Sequence, residues 1–163
     1  MRMPARSARA IAMSFARSYP YRFGDIDDAG IAYYPKLLHY FHCAMEDWIA
    51  EAVGRSYHKV LREDHFGLPA VKLEAEFFAP IRYGDEPTVH LGVLRVGERS
   101  LEIGFWMTLP DAPDEPRCRA RVVVAGVDMR TLRAVQVPDF LRAAIDRYRI
   151  EEADFPRPAR RRD

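Results

Sequence analysis

The chain has 163 residues, 48% of them apolar, and its 25 basic and 24 acidic side chains leave a formal net charge of +1. That is enough apolar material for one domain with its own core, and the charge balance excludes a global field that would gather nucleic acid or an anionic membrane. Two cysteines, Cys43 and Cys118, are too few for a disulfide framework and suit a reducing, cytoplasmic setting; no apolar run has the length of a membrane-spanning helix.

The chain opens with Arg2, Arg6 and Arg9 and no acid, but Ser7 and Arg9 interrupt any apolar run of the kind a targeting peptide needs. A disordered extension is expected over 1–13, with Met13 available as an alternative start, and a single domain over 14–150. Phe15, Tyr19, Tyr21 and Phe23 recur at even spacings, which predicts a strand from Ser14 to Phe23. The stretch Gly24-Asp25-Ile26-Asp27-Asp28-Ala29-Gly30 is small and acidic and reads as a loop. Pro35 then suits the first turn of a helix, Leu37, Phe41, Met45, Trp48 and Ala52 fall on one stripe, and Gly54 is placed to end it.

Residues 56–66 are mixed and charged and permit a short second helix. Val71, Leu73, Ala75 and Phe77 alternate with Lys72, Glu74 and Glu76, a clear strand. Val89, Leu91 and Val93 begin another, which Gly97-Glu98-Arg99-Ser100 joins to Leu101–Leu109 as a hairpin. A loop rich in Pro and Asp follows, then a strand over Arg119–Val127, a closing helix carrying Phe140, Leu141, Ala144, Ile145 and Tyr148, and a disordered tail over 151–163. The order is strand, long helix, then four strands in antiparallel succession: an α+β arrangement of a five-stranded sheet around one helix.

The chemistry concentrates before the long helix. Asp25, Asp27 and Asp28 put three carboxylates within four residues, next to backbone N–H groups that lack partners inside the helix. One acid can simply cap the helix; alternatively, N–H groups near Tyr33 and Tyr34 polarise a carbonyl while a carboxylate attacks it or activates water. Glu46 and Glu51, on the helix itself, are rival carboxylates. His39, His42 and Glu46 have a spacing that permits shared metal contacts, but no second such cluster accompanies them, and no metal is expected.

The string Phe23-Gly24-Asp25-Ile26-Asp27-Asp28-Ala29-Gly30-Ile31-Ala32-Tyr33-Tyr34-Pro35 resembles the signature of the 4-hydroxybenzoyl-CoA thioesterase family, and Glu76-Phe77-Phe78-Ala79-Pro80-Ile81-Arg82-Tyr83-Gly84-Asp85 resembles its second-strand ending. The likeness spans roughly 18–127. It implies the hotdog fold and hydrolysis of a small aromatic or short-chain acyl-CoA thioester to free acid and CoA. It also implies Asp27 as nucleophile or general base, a mainly structural Asp25, and the Tyr34 N–H as the group that polarises the carbonyl. Gly30 and Tyr33 would border the substrate, and Ser100 would reach the ester. Asp28 stands where relatives often have proline.

Arg99, with Arg82, Arg95, Arg130 and Arg133, lies near predicted strand ends where CoA phosphates could be met. No cofactor is implied beyond CoA as part of the substrate. Partners are expected to be further copies of the chain, a dimer and then a tetramer, with neither nucleic acid nor membrane. Phe41, Trp48, Phe77, Phe78 and Trp106 can line an acyl pocket or serve as core. The rival readings are an acyl-CoA-binding module without turnover and an enoyl-CoA hydratase, which would need a histidine beside Asp27 that the loop lacks.

Overall fold

In a computed structural model, described over residues 5–157, the chain forms α1 (Ala5–Met13), β1 (Phe15–Ser18), α2 (Tyr34–Val53), α3 (Tyr57–Glu63), β2 (Phe66–Gly67), β3 (Ala70–Phe77), β4 (Thr88–Val96), β5 (Ser100–Thr108), β6 (Cys118–Ala125), β7 (Val127–Asp128), β8 (Arg133–Ala134) and α4 (Asp139–Ile145). Five strands make one antiparallel sheet in the order β1-β4-β5-β6-β3, and β2, β7 and β8 make a small second sheet. The α+β hotdog architecture expected from the sequence is present: a five-stranded antiparallel sheet with one long helix on its inner face.

The 20-residue α2 is built as its stripe dictates, with Leu37, Phe41, Ala44, Met45, Trp48 and Ile49 buried. They meet Val89, Leu91 and Val93 of β4, the alternate residues Leu101, Ile103, Phe105 and Met107 of β5, and Ala120, Val122 and Val124 of β6. Phe41 and Phe105 pack with ring centroids 5.2 Å apart. Burial of each large apolar side chain contributes about 1.5–3 kcal/mol, which makes this layer the main source of stability. Gly54 ends α2 at φ 76°, where a side chain would be strained.

Four expectations need correction. First, β1 ends at Ser18, not Phe23: Pro20 has no N–H to donate, and Tyr19 and Tyr21 instead donate to the Pro87 and Asp85 carbonyls of a neighbouring loop. Second, the strands from β3 onward do not follow one another. β3 sits at the sheet edge against β6 (Ala70↔Val124 to Phe77↔Cys118), while β4 lies between β1 and β5. The connection from Phe78 to Pro87 carries Pro80, Gly84 and Pro87, too long and too interrupted for a tight hairpin.

Third, residues 5–13 are helical rather than disordered, with Ala10 only 1% exposed. Fourth, much of the tail is ordered: Glu152–Asp154 form a 3₁₀ turn and Phe155 is buried, although 158–163 lie outside the described residues. Residues 5–13 and 150–157 cover the outer face of the sheet, where Ala10, Trp106, Ile150 and Phe155 form a second apolar cluster. A facing pair of glycines, Gly92 and Gly104, makes room there; a Cβ would come 2.6 Å from Ile150 on the first and 2.7 Å from the Phe155 ring on the second. Arg119 and Arg121 then fasten the segment, Arg119 donating to the Pro156 carbonyl at 2.7 Å and Arg121 pairing with Glu152. Trp106 is therefore outer-face core, stacked on His90, and Trp48 is fully buried inner core. Neither borders the apolar cavity beside Tyr34.

Candidate active site

The loop between β1 and α2 closes on itself before the helix begins. A 3₁₀ turn, Phe23–Asp25, leads into an antiparallel bridge between Ile26 and Ala32. The Asp27 N–H donates to the Ile31 carbonyl at 3.0 Å, and the Gly30 N–H donates to the Asp27 carbonyl at 2.9 Å. Gly30 has φ +74°, a left-handed conformation that favours glycine, with open space around a would-be Cβ. Ala32 and Tyr33 anchor the return leg by donating to the Ile81 and Asp25 carbonyls at 2.8 and 2.9 Å.

The carboxylates have different surroundings. Asp25 is 7% exposed and accepts hydrogen bonds from the Arg22 N–H and the Tyr40 hydroxyl, each at 2.9 Å, with the Lys36 ammonium 3.4 Å away. Burial pushes its carboxyl upward, but those donors and the Lys36 charge outweigh burial and hold it below the usual carboxylate range. It is fully committed to bracing the loop against α2. Asp27 is exposed, and among the described residues its carboxylate is engaged only at Oδ1, by the Ala29 N–H at 2.9 Å. Such a turn fixes the direction of the group while leaving the other oxygen uncommitted. Asp28 is also exposed.

Tyr34 is the first residue of α2, Pro35 has no N–H, and the Lys36 N–H returns to the Tyr33 carbonyl at 2.8 Å. Among the described residues no acceptor pairs with the Tyr34 N–H. Beside it opens a cavity of about 370 Å³ lined by Ile31, Tyr34, Leu37, Phe77, Phe78 and Ile81. Tyr33 and Tyr34 are half exposed, and the Tyr34 and Phe77 rings meet edge to face at 6.3 Å. The Tyr34 N–H stands beside this apolar recess, and the loop that carries Asp27 leads into the same helix start; a carboxylate and an unpaired N–H are the groups that addition to a carbonyl and stabilisation of the oxyanion require.

Other sequence candidates lie elsewhere. Arg99 and Ser100 are at the β4–β5 hairpin, at the opposite end of the sheet from the Asp27 loop: Ser100 pairs with Ala125, whereas Ser18, which leads into the loop, pairs with Thr88. Nine strand residues separate the two ends, roughly 30 Å at the usual strand rise, so one chain does not bring Arg99 and Ser100 to Asp27. Glu51 accepts from the Tyr148 hydroxyl at 3.0 Å and stands 3.8 Å from Arg17. Glu46 pairs with His42 at 2.9 Å, while His39 lies against Cys43 at 3.5 Å, so His39, His42 and Glu46 do not converge. Cys118 is buried and its thiol is pushed up to about 12, and burial also raises Cys43; neither is a poised nucleophile.

Sequence reasoning missed Lys36 and Tyr40, which hold Asp25. Their i, i+4 spacing on the face of α2 that meets the acidic loop was the available signal.

Fold and family together define a hotdog-fold protein of the thioester-hydrolase class. Residues 21–145 match the model of the thioesterase-like superfamily, and the chain belongs to that superfamily. Among curated relatives it is 28% identical to a 1,4-dihydroxy-2-naphthoyl-CoA hydrolase of Prochlorococcus marinus (strain MIT 9515), an alignment covering 79% of this chain and 87% of that one. Among solved structures it superposes with TM-score 0.74 on a 1,4-dihydroxy-2-naphthoyl-CoA thioesterase from Synechocystis, at 22% identity over 82% of this chain and 96% of the other. A gentisyl-coenzyme A thioesterase aligns with TM-score 0.70 at 19% identity, over 78% and 99% of the two chains. The expected likeness to 4-hydroxybenzoyl-CoA thioesterase therefore holds at the level of the superfamily, and these relatives bear the names of other aromatic acyl-CoA hydrolases.

Proposed function

We propose that the protein hydrolyses an aromatic acyl-CoA thioester to the free acid and CoA, with Asp27 as the catalytic carboxylate. The observation that carries this reading is an exposed, turn-fixed Asp27 carboxylate in the loop that leads into α2, whose first N–H, at Tyr34, is unpaired among the described residues and lies beside an apolar cavity. The substrate carbonyl oxygen accepts from the Tyr34 N–H, which stabilises the negative charge that develops as the carbon becomes tetrahedral. Asp27 acts by one of two routes that share this arrangement. As general base it takes a proton from water, the hydroxide adds to the carbonyl carbon, and collapse expels the CoA thiolate, which picks up that proton. As nucleophile it displaces the thiolate to form a mixed anhydride, which water then opens. The aromatic acyl class is supported by the names of the relatives and by Tyr34, Phe77 and Phe78 at the recess.

The working unit in this reading is a pair of chains. Val71, Leu73 and Phe77 are 64%, 47% and 50% exposed on β3, an edge strand with one side unpaired. Antiparallel pairing of two β3 strands about a two-fold axis covers them and sets the hairpin end of one copy beside the Asp27 loop of the other. Arg99, Ser100, Arg130 and Arg133 then reach a CoA ester bound at the neighbouring Asp27, where the arginines meet its phosphates. Gly30 and Tyr33 border the ester from within the chain. The test is steady-state release of free thiol from 1,4-dihydroxy-2-naphthoyl-CoA, benzoyl-CoA and acetyl-CoA. Rapid release from an aromatic ester is expected; no release from any of them sinks the reading in favour of a binding module without turnover.

A further inference from the structure

Away from the Asp27 loop, α2 carries a cluster of metal-ligating side chains at helical spacing: His39, His42, Cys43 and Glu46. None belongs to the buried stripe of the helix, and they follow one another on successive turns. In the structure they divide into two i, i+4 pairs. His42 Nε2 meets Glu46 Oε1 at 2.9 Å, which an ordinary hydrogen bond accounts for. His39 Nε2 stands 3.5 Å from Cys43 Sγ, at an exposed position.

The second separation is the bite of a chelate. A tetrahedral zinc ion lies about 2.3 Å from a thiolate sulfur and about 2.0–2.1 Å from an imidazole nitrogen, and two such bonds at the tetrahedral angle put sulfur and nitrogen about 3.6 Å apart. The His39 and Cys43 atoms are therefore already spaced to share one ion. Without an ion, a weak S–H···N contact uses the same pair. Glu46 and Asp47 add negative charge that acts on the Cys43 thiol and favours a cation beside it.

Among the described residues no three His, Cys, Asp or Glu side chains converge. Two protein ligands leave the other positions to water, which makes the arrangement open and exchangeable, unlike a closed four-ligand structural site. Thiolate and imidazole together select zinc and its thiophilic neighbours; magnesium and calcium take oxygen ligands instead. We propose that His39 and Cys43 form a site for one thiophilic divalent ion of the zinc class on the exposed face of α2. This site is separate from Asp27 and the Tyr34 N–H and does not depend on the hydrolase reading. The His39 ring meets the Tyr40 ring edge to face at 5.6 Å, and the Tyr40 hydroxyl holds Asp25, so a bound ion sits one side chain away from the brace of the Asp27 loop.

The experiment titrates cobalt(II), a spectroscopic stand-in for zinc, into the full-length protein, free of any affinity tag and reduced with a phosphine. It reads the near-ultraviolet thiolate-to-cobalt charge-transfer band. The band is expected to saturate at one ion per chain, to be erased by zinc and to survive an excess of magnesium. Cys43→Ser is expected to abolish it. His39→Asn is expected to weaken binding at least about tenfold, and His42→Asn to leave it within about twofold of native. Circular dichroism checks that each variant folds; if Cys43→Ser does not, the contrast between His39→Asn and His42→Asn carries the test. Absence of the band, a band that persists in Cys43→Ser, or binding that His39→Asn leaves unchanged marks the metal as adventitious and overturns the proposal.

Discussion

The two neighbouring acids of the loop show how environment divides labour between identical side chains. Asp25 is buried among three donors and stabilises the loop; Asp27 is exposed and keeps an oxygen free. Because the Asp25 carboxyl is held below its ordinary value of 3.8, its folded form binds its proton less readily than the unfolded chain does. The stability it contributes is therefore present above pH 3.8 and is lost as the pH falls below that value, through the lower folded value. Denaturant titrations at a series of pH values are expected to show this acid-side loss in the native protein and to lack that component in Asp25→Asn. At pH 7, Asp25→Ala is expected to cost about 1–3 kcal/mol, since it leaves the Tyr40 hydroxyl and the Arg22 N–H without an acceptor. An unchanged midpoint contradicts the bracing role. The sequence alone could not separate the two acids, because Asp-x-Asp before a helix is compatible with either one being capped, and the decision lay with Lys36 and Tyr40 one and two turns away.

At the scale of elements, what could be read from the chain was whatever local periodicity controls. The apolar stripe of α2, its stop at Gly54, and the β4–β5 hairpin follow from spacings of a few residues. The partner of β3 did not, since its pairing with β6 spans some forty residues and is chosen by the long α2 and the loop after Phe78. The covering of the outer face was also missed, although Leu94, Trp106 and the glycines at 92 and 104 stand on what a simple alternation makes the solvent side. Small residues facing each other on adjacent strands mark a place where another segment lies close. Gly104→Ala puts a methyl group 2.7 Å from the Phe155 ring, and so is expected to lift the 150–157 segment and destabilise the protein by about 1–3 kcal/mol. Hydrogen exchange that rises at 150–157 ahead of the β5–β6 core is the expected signature; unaltered protection there contradicts the packing.

For the whole molecule, the polarity of the sheet is the organising fact. The Asp27 loop sits at one end and the Arg99–Ser100 hairpin at the other, while the exposed apolar edge of β3 runs between them. The sequence carried each of these pieces without the distance between them, so the expected site residues were individually legible and their separation was not. If two chains pair through β3, sedimentation of the native protein is expected to report a dimer or larger. Val71→Glu, which sets a charge on that edge, is expected to give a folded monomer with at least about tenfold lower activity, the arginine-bearing end of the partner having been removed. A native monomer with full turnover contradicts the two-chain site.

The central claim is that Asp27 does the chemistry. Asn at this position keeps the oxygen that receives the Ala29 N–H, and the residue is exposed, so the fold is expected to survive with an unchanged thermal midpoint. Thiol release from the best acyl-CoA ester by Asp27→Asn is expected to fall at least about 100-fold, the contribution of a positioned base or nucleophile. A variant that folds normally and still hydrolyses the ester at the native rate contradicts the account and moves the search to the exposed His42–Glu46 pair on α2.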